Sequence, residues 1–237
     1  MIITPNCQLF LDFQNNVVDN GHGGLTWTPQ GNGAKYADGL IGRTYEFESP
    51  SNWLSAGNNG NAFGYTTEFT HIAVFKTGAN GEMQVGDFGL RADFTAGNNQ
   101  GLDFMFVQAQ NVFFRIQQTS LQNFGAGFGR YRGSVTIPNQ EWVFVACRRT
   151  NSRADAFYFF YESGSPELIS EGVDFSGSAF NNWANRAWRI GARGTDAADG
   201  ISNFNTDGFL NKGGVWTTAL PDEDIRRLVS MMHPLNG

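Results

Sequence analysis

One pattern constrains this chain more than any other. Short apolar or alternating runs recur along almost its whole length, bounded by Gly, Asn and Pro at spacings of about 8 to 12 residues. The runs are QLFLDF (8–13), RTYEFES (43–49), TEFTHIAVFKT (67–77), GEMQVGDF (81–88), LRADFT (90–95), GLDFMFVQ (101–108) and NVFFRIQQ (111–118). They continue with GSVTIP (133–138), EWVFVACRRT (141–150), AFYFFYES (156–163), NRAWRIGA (185–192), NTDGFLN (205–211) and KGGVWTT (212–218). Nothing helical separates them, so parallel strands, which need long crossovers, are not expected. The pattern predicts an all-β chain folded as a sandwich or a barrel.

Composition supports this reading. Thirty glycines, 22 phenylalanines and only 16% charged residues suit aromatic-rich strands joined by glycine turns. No change of composition marks a linker, so residues 1–237 are expected to form one domain. With a net charge of −6 and no run of Lys or Arg, neither nucleic acid nor an anionic membrane is an expected partner. No apolar stretch reaches the length of a bilayer-spanning helix. The N-terminus MIITPNCQLFLDF carries no basic, apolar and cleavage regions of a signal peptide. The two cysteines, Cys7 and Cys147, are expected as buried free thiols, because Cys147 lies in a core-like strand. No Cys/His spacing suits zinc, and no Asn-x-Ser/Thr sequon occurs.

Two strands lack a polar face. In AFYFFYES, Phe157, Phe159 and Tyr161 alternate with Tyr158 and Phe160. In EWVFVACRR, Val143, Val145 and Cys147 oppose Trp142, Phe144 and Ala146. Both sides of this sheet are therefore expected to be covered, by a loop of the chain, a bound ligand or another subunit. Phe157, Tyr158, Phe159, Phe160 and Tyr161 are the candidate interface residues.

The chain closes with LPDEDIRRLVSMM, which has the marks of a short amphipathic helix. Pro221 suits a first turn, and Asp222, Glu223 and Asp224 sit at the positive end of the dipole. Ile225, Leu228, Val229 and Met232 form one apolar stripe. This ending, RAWRIGARG followed by FNTDGFLNKGGVWTTALPDEDIRRL, resembles the closing segment of concanavalin A-like, laminin-G-like jelly-roll domains. LFLDFQNNVVDNG with KYADGLIGRTYEFES resembles that family's opening, and EWVFVACRRTNSRADAFYFFYESG its central strand and hairpin partner. The resemblance implies a jelly-roll sandwich with a short C-terminal helix. Departures fall at turns and edges: ESG (162–164) replaces Asp-Gly, NKG (211–213) replaces an Asp-Glu strand, and Pro221 replaces a capping Ser.

Some members of this group are glycoside hydrolases, which need paired carboxylates on one strand face. Their Glu-x-Asp-x-x-Glu pattern is absent, and the nearest pair, Glu46 and Glu48, is explained by simple alternation with inward Tyr45 and Phe47. No Ser-His-Asp set can be built from His22, His71 and His233, and GFGRYRG is expected as a turn. Calcium is the candidate cofactor, with Asp196, Asp199 and Asp207 as ligands and Asn203, Asn205, Asp19 and Asn20 as further oxygen donors; the same residues also serve as turn formers. Glycan stacking needs an accessible aromatic beside amides, which Trp183 with Asn181, Asn182 and Asn185 supplies. Trp53 is a second candidate, though its strand position also suits packing. Trp142, Trp188 and Trp216 are expected in the core.

The sequence thus predicts a non-enzymatic structural or interaction module. Because laminin-G-like domains of this kind resemble bacteriophage virion accessories, the expected setting is a virion, as capsid decoration, head fibre or tail protein. Its expected partners are other virion proteins or further copies of itself, with surface glycans as an added ligand. The alternative is a secreted or cell-surface lectin-like domain, located outside the cell. A glycoside hydrolase ranks last.

Overall fold

The computed structural model describes residues 4–14, 16–18, 20–48, 52–56, 68–87, 103–115, 130–162, 167–175, 189–191, 193–194, 201–202 and 207–233. In chain order its strands are β1 Cys7–Asp12, β2 Thr28–Gly31, β3 Tyr36–Asp38, β4 Arg43–Glu48, β5 Asn52–Ser55, β6 Phe69–Thr77, β7 Met83–Asp87, β8 Asp103–Gln108 and β9 Asn111–Arg115. They continue with β10 Arg130–Arg132, β11 Trp142–Arg149, β12 Arg153–Phe160, β13 Ile169–Asp174, β14 Arg189–Ile190, β15 Arg193–Gly194, β16 Ile201–Ser202 and β17 Asp207–Trp216. One helix, α1 Asp222–Met231, follows.

Two antiparallel sheets form the sandwich. The larger runs β13-β12-β11-β6-β17-β4-β3, with β1 also paired to β17. The smaller runs β10-β9-β8-β7-β14-β5-β2, and β15 pairs with β16 as a separate ribbon. Among the described residues every strand pairing is antiparallel. The expected segments 205–211 and 212–218 merge into the single strand β17, whose register shifts between Leu210 and Lys212. Its first half pairs with β4 and its second with β1. Asn211 fills the break, its Nδ2 donating to the carbonyls of Ile41 and Arg43 at 3.0 Å each. The expected strand 133–138 is not formed, and its residues connect β10 to β11.

The sandwich core is built by alternation. Leu9, Leu11, Tyr45, Phe47, Phe75, Val143, Val145, Cys147, Tyr158 and Leu210 meet Leu54, Met105, Val107, Val112, Phe114 and Ile190 from the smaller sheet. Gly191, in the Ile-Gly pair of the resemblance, has φ +87° and packs directly on the Phe47 ring, where any side chain would collide. A second apolar layer lies on the outer face of the larger sheet, between Cys7, Phe10, Ile72, Val74, Phe144, Ala146, Phe157 and Trp216 and the helix residues Ile225, Leu228, Val229 and Met232. Cys7 and Cys147 are both buried and free, in the outer and inner layers respectively, so the sheet itself stands between them. Trp216 is buried as expected; Trp188 lies outside the described residues.

α1 forms where the start signals place it, with Pro221 just outside rather than in the first turn. Its extended backbone (φ −60°, ψ 153°) presents its carbonyl to Asp224 and Ile225 N–H at 3.0 and 3.1 Å. Arg148 fastens this helix start to the sheet: it donates to Asp155 at 2.9 Å, to Asp222 at 2.6 Å and to the Leu220 carbonyl at 2.9 Å.

Candidate functional site

The chain's own C-terminal helix covers part of the outer side of the two-sided apolar strands. Of the five candidate interface residues, Tyr158 and Phe160 point into the sandwich core, and Phe157 is buried beneath α1 and the Arg148 guanidinium, which sits 4.9 Å from its ring. These three side chains are buried within the chain. Phe159 and Tyr161 are half-buried, beside His233 just past the helix end, with ring centroids 6.2 and 5.9 Å from it.

Beyond the helix, cross-strand register assembles a row across the same outer face. Tyr161 N–H donates to the Trp142 carbonyl, Trp142 stands opposite Lys76, Lys76 opposite Phe209, and Phe209 opposite Glu46. The Trp142 and Phe209 rings approach to 6.3 Å. Lys76 faces Glu162 only loosely, at 3.9 Å. Trp142 is 8% exposed, as its strand position predicts, while Phe209 and Tyr161 remain half-buried.

Glu46 and Glu48 follow the expected alternation. Tyr45 and Phe47 are fully buried, so Glu46 and Glu48 sit on the opposite, outer face of β4, and Glu48 is ion-paired with Lys35. Glu171 on β13 has the most elaborate hydrogen bonding of the acids. It accepts from Tyr158 Oη at 2.6 Å, from the Ser134 amide at 2.9 Å and from the Ser134 hydroxyl. Burial pushes its carboxyl up, but the bonds from Ser134, Tyr158 and Val135 outweigh this and hold it below the usual carboxylate value. Such a carboxylate is fixed in the ionised form and spent on pinning the 133–135 segment to the sheet edge. It is not poised to donate or take a proton.

The outer face of the smaller sheet carries Trp53, the second stacking candidate, with a cross-strand neighbour and a strand that sequence reasoning missed. Leu54 enters the core, so Trp53 beside it in β5 takes the outer face, half-buried, with Gln30 of β2 directly opposite. Its strand position therefore does not place it in the core. At the other end of the sheet, the Arg130–Arg132 part of the expected GFGRYRG turn is strand β10. Tyr131 packs inward on Phe114 at 5.2 Å, which leaves Arg132 exposed on the outer face. Its guanidinium lies 5.7 Å from the Phe113 ring and donates to Asn111 Oδ1 at 2.7 and 3.2 Å. An inward aromatic between two arginines was the available signal. Between the two ends Arg189 is buried, so the face is not one open surface.

Trp183, Asn181, Asn182, Asn185, Asp196 and Asp199 lie outside the described residues, as do Asp19, Asn203 and Asn205. Asp207 opens β17 exposed to solvent, and its carbonyl accepts from the Gly78 amide. Among the described residues no group of three or more His, Cys, Asp and Glu side chains could hold a metal ion.

No family model matches the chain, and no curated protein matches it. Solved structures do. The binding domain of botulinum neurotoxin DC in complex with SialylT superposes with a TM-score of 0.60 at 11% identity, over 96% of this chain and 51% of that one. That of type C, described as dependent on two ganglioside molecules for cell entry, gives 0.61 at 11%, over 98% and 52%. This chain thus spans about half the length of those toxin domains. Domain 4 of AbnA, a GH43 extracellular arabinanase from Geobacillus stearothermophilus, in complex with arabinotriose, gives 0.56 at 15% identity, over 94% of this chain and 98% of that one. The shared feature is the fold: this chain is an antiparallel β-sandwich.

Proposed function

We propose that this chain is a non-enzymatic carbohydrate-binding module on a laminin-G-like jelly roll. The observation that carries the reading is Trp53, a half-buried indole on an outer sheet face with the Gln30 amide directly across the strand pair. A sugar ring needs that pairing: a flat apolar surface for its C–H face and a donor–acceptor at its edge. The whole-domain correspondence with an arabinotriose-bound domain supports the reading by analogy of fold. The Trp183 loop, with Asn181, Asn182 and Asn185, is proposed as a second stacking element, and calcium at Asp196, Asp199 and Asp207 as a loop brace. A glycan array with the wild type, Trp53→Ala and Trp183→Ala tests this. Signal on at least one glycan class, reduced at least tenfold by one of the two substitutions, supports it; a wild type silent on every class sinks it.

A second reading is favoured by the row that α1 leaves uncovered. Phe159, Tyr161 and Phe209, with Lys76 among them, form a partly apolar strip that suits docking on another protein. Under this reading the module docks on other bacteriophage virion proteins or on further copies of itself, and is carried on the particle; the alternative location is extracellular. Mass spectrometry of purified particles tests it, and recovery of the chain only as free protein in the medium overturns it.

A further inference from the structure

We propose that the Asn32–Gly33 turn is a self-modifying site, where the asparagine deamidates through a cyclic imide to aspartate and isoaspartate. Asn-Gly pairs are chemically labile because glycine has no side chain to hinder attack on the preceding amide. The step needs an asparagine side chain free to swing back and a following amide N–H not held in a hydrogen bond. The described residues contain three Asn-Gly pairs, Asn20–Gly21, Asn32–Gly33 and Asn80–Gly81, and they differ on both counts. Gly81 N–H donates to the Gly78 carbonyl at 3.2 Å, and Asn80 Oδ1 accepts from the Glu82 amide at 3.0 Å. A Cβ added at Gly81 would lie 2.5 Å from Asn139 Oδ1, so that turn is also packed. Gly21 lies against the Gln8–Leu9 backbone, where an added Cβ would come within 2.5 Å of the Gln8 carbonyl oxygen. Asn20 is tethered beside it, its N–H donating to the Phe10 carbonyl at 2.8 Å.

The Asn32–Gly33 pair is built the other way. Asn32 is exposed, and neither its side chain nor the Gly33 N–H has a hydrogen-bond partner among the described residues. A Cβ added at Gly33 would meet nothing within 4 Å. Gly31 and Gly33 hold φ of 68° and 85° on either side of Asn32, so the chain here has the backbone freedom that ring closure needs. Water is the only co-reactant. A base takes the Gly33 amide proton, and the nitrogen attacks Cγ of Asn32 to close a succinimide. The Cγ–Nδ2 bond breaks and ammonia leaves. Water then opens the imide at Cγ to give aspartate, or at the main-chain carbonyl to give isoaspartate. The product lies where β2 meets β5: Gly31 stands opposite Asn52, and the Gly33 carbonyl accepts from Tyr45 Oη at 3.4 Å and from Asn52 Nδ2 at 3.5 Å. Isoaspartate inserts an extra main-chain carbon between these two anchors, and either product adds negative charge to a chain already at −6. The proposal does not depend on the carbohydrate-binding reading.

The test incubates the whole chain folded, and in parallel in urea, at mildly acidic and at alkaline pH. Peptide mapping by mass spectrometry follows conversion at Asn20, Asn32 and Asn80, and electron-transfer fragmentation identifies isoaspartate. In the folded chain Asn32 should convert at least about fivefold faster than Asn20 or Asn80, the equivalent of one hydrogen bond at about 1 kcal/mol. Its rate should rise with pH. In urea, where the turns are lost, the three rates should draw together. Asn32→Gln, whose longer side chain closes a larger ring more slowly, should abolish conversion at this position and leave Asn20 and Asn80 unchanged; circular dichroism confirms that it is folded. The proposal is overturned if Asn32 converts no faster than the other two in the folded chain, if the same order persists in urea, or if its rate does not rise with pH.

Discussion

His71 sets a measurable pH dependence of stability. It sits in β6 on the side of Phe69, Ala73 and Phe75, which face the sandwich core, and is 2% exposed. Burial disfavours its charged form and lowers its pKa from 6.5 to about 3. The sign follows directly. Between pH 6.5 and 3 the unfolded chain binds a proton at this residue and the folded chain does not, so stability falls as pH is lowered through that range. Each pH unit is worth about 1.4 kcal/mol. From pH 7 to 5, the unfolded histidine moves from mostly neutral to almost fully charged, and the loss is about 2 kcal/mol. Urea unfolding followed by tryptophan fluorescence at both pH values measures it. His71→Gln, which keeps a polar group but does not titrate, should lose about 2 kcal/mol less over the same interval, whatever its stability at pH 7. Equal losses in the two proteins would refute the argument that this histidine is buried neutral.

Three further perturbations test other parts of the fold. Ile225→Ala empties a fully buried site between α1 and the sheet and should cost about 2–4 kcal/mol in urea unfolding, whereas exposed Arg226→Ala should stay within about 0.5 kcal/mol. Gln110→Gly should stabilise by about 0.5–1 kcal/mol, because Ala109 and Gln110 turn the β8–β9 hairpin with φ of 47° and 62°, the left-handed region that glycine adopts without strain. Glu171→Gln should cost about 1–2 kcal/mol at pH 7. Because the Glu171 carboxyl is held below its ordinary value of 4.5 in the folded chain, its contribution is present above pH 4.5 and is lost as pH falls through the lower folded value, so the difference between variant and wild type should shrink as the pH is lowered below 4.5.

The fold was legible because its signals are local. Strand runs, glycine turns and the apolar stripe of Ile225, Leu228 and Val229 each declare themselves within ten residues, and two adjacent apolar faces required two covers. What a sequence cannot display is which segment supplies a cover. α1 was visible as an amphipathic helix and AFYFFY as a two-sided strand, yet only register brings Phe157 and Phe144 beneath Leu228 and Val229. The proposed sugar face was harder still, because it is made by strands distant in sequence. Trp53 and Gln30 are 23 positions apart and face each other only through the β2–β5 pairing. Position in a strand was also a poor guide to burial, since it left open which face Trp53 takes.

The most direct test of carbohydrate recognition is a glycan array read with the wild-type protein beside Trp53→Ala, both confirmed folded by circular dichroism. The account predicts a defined set of bound glycans whose signals fall at least about tenfold when the indole is removed, as expected for a stacking contact worth more than about 1.4 kcal/mol. A folded wild type that binds no glycan, or whose bound set is untouched by Trp53→Ala, would contradict the assignment of this sheet face as the sugar site.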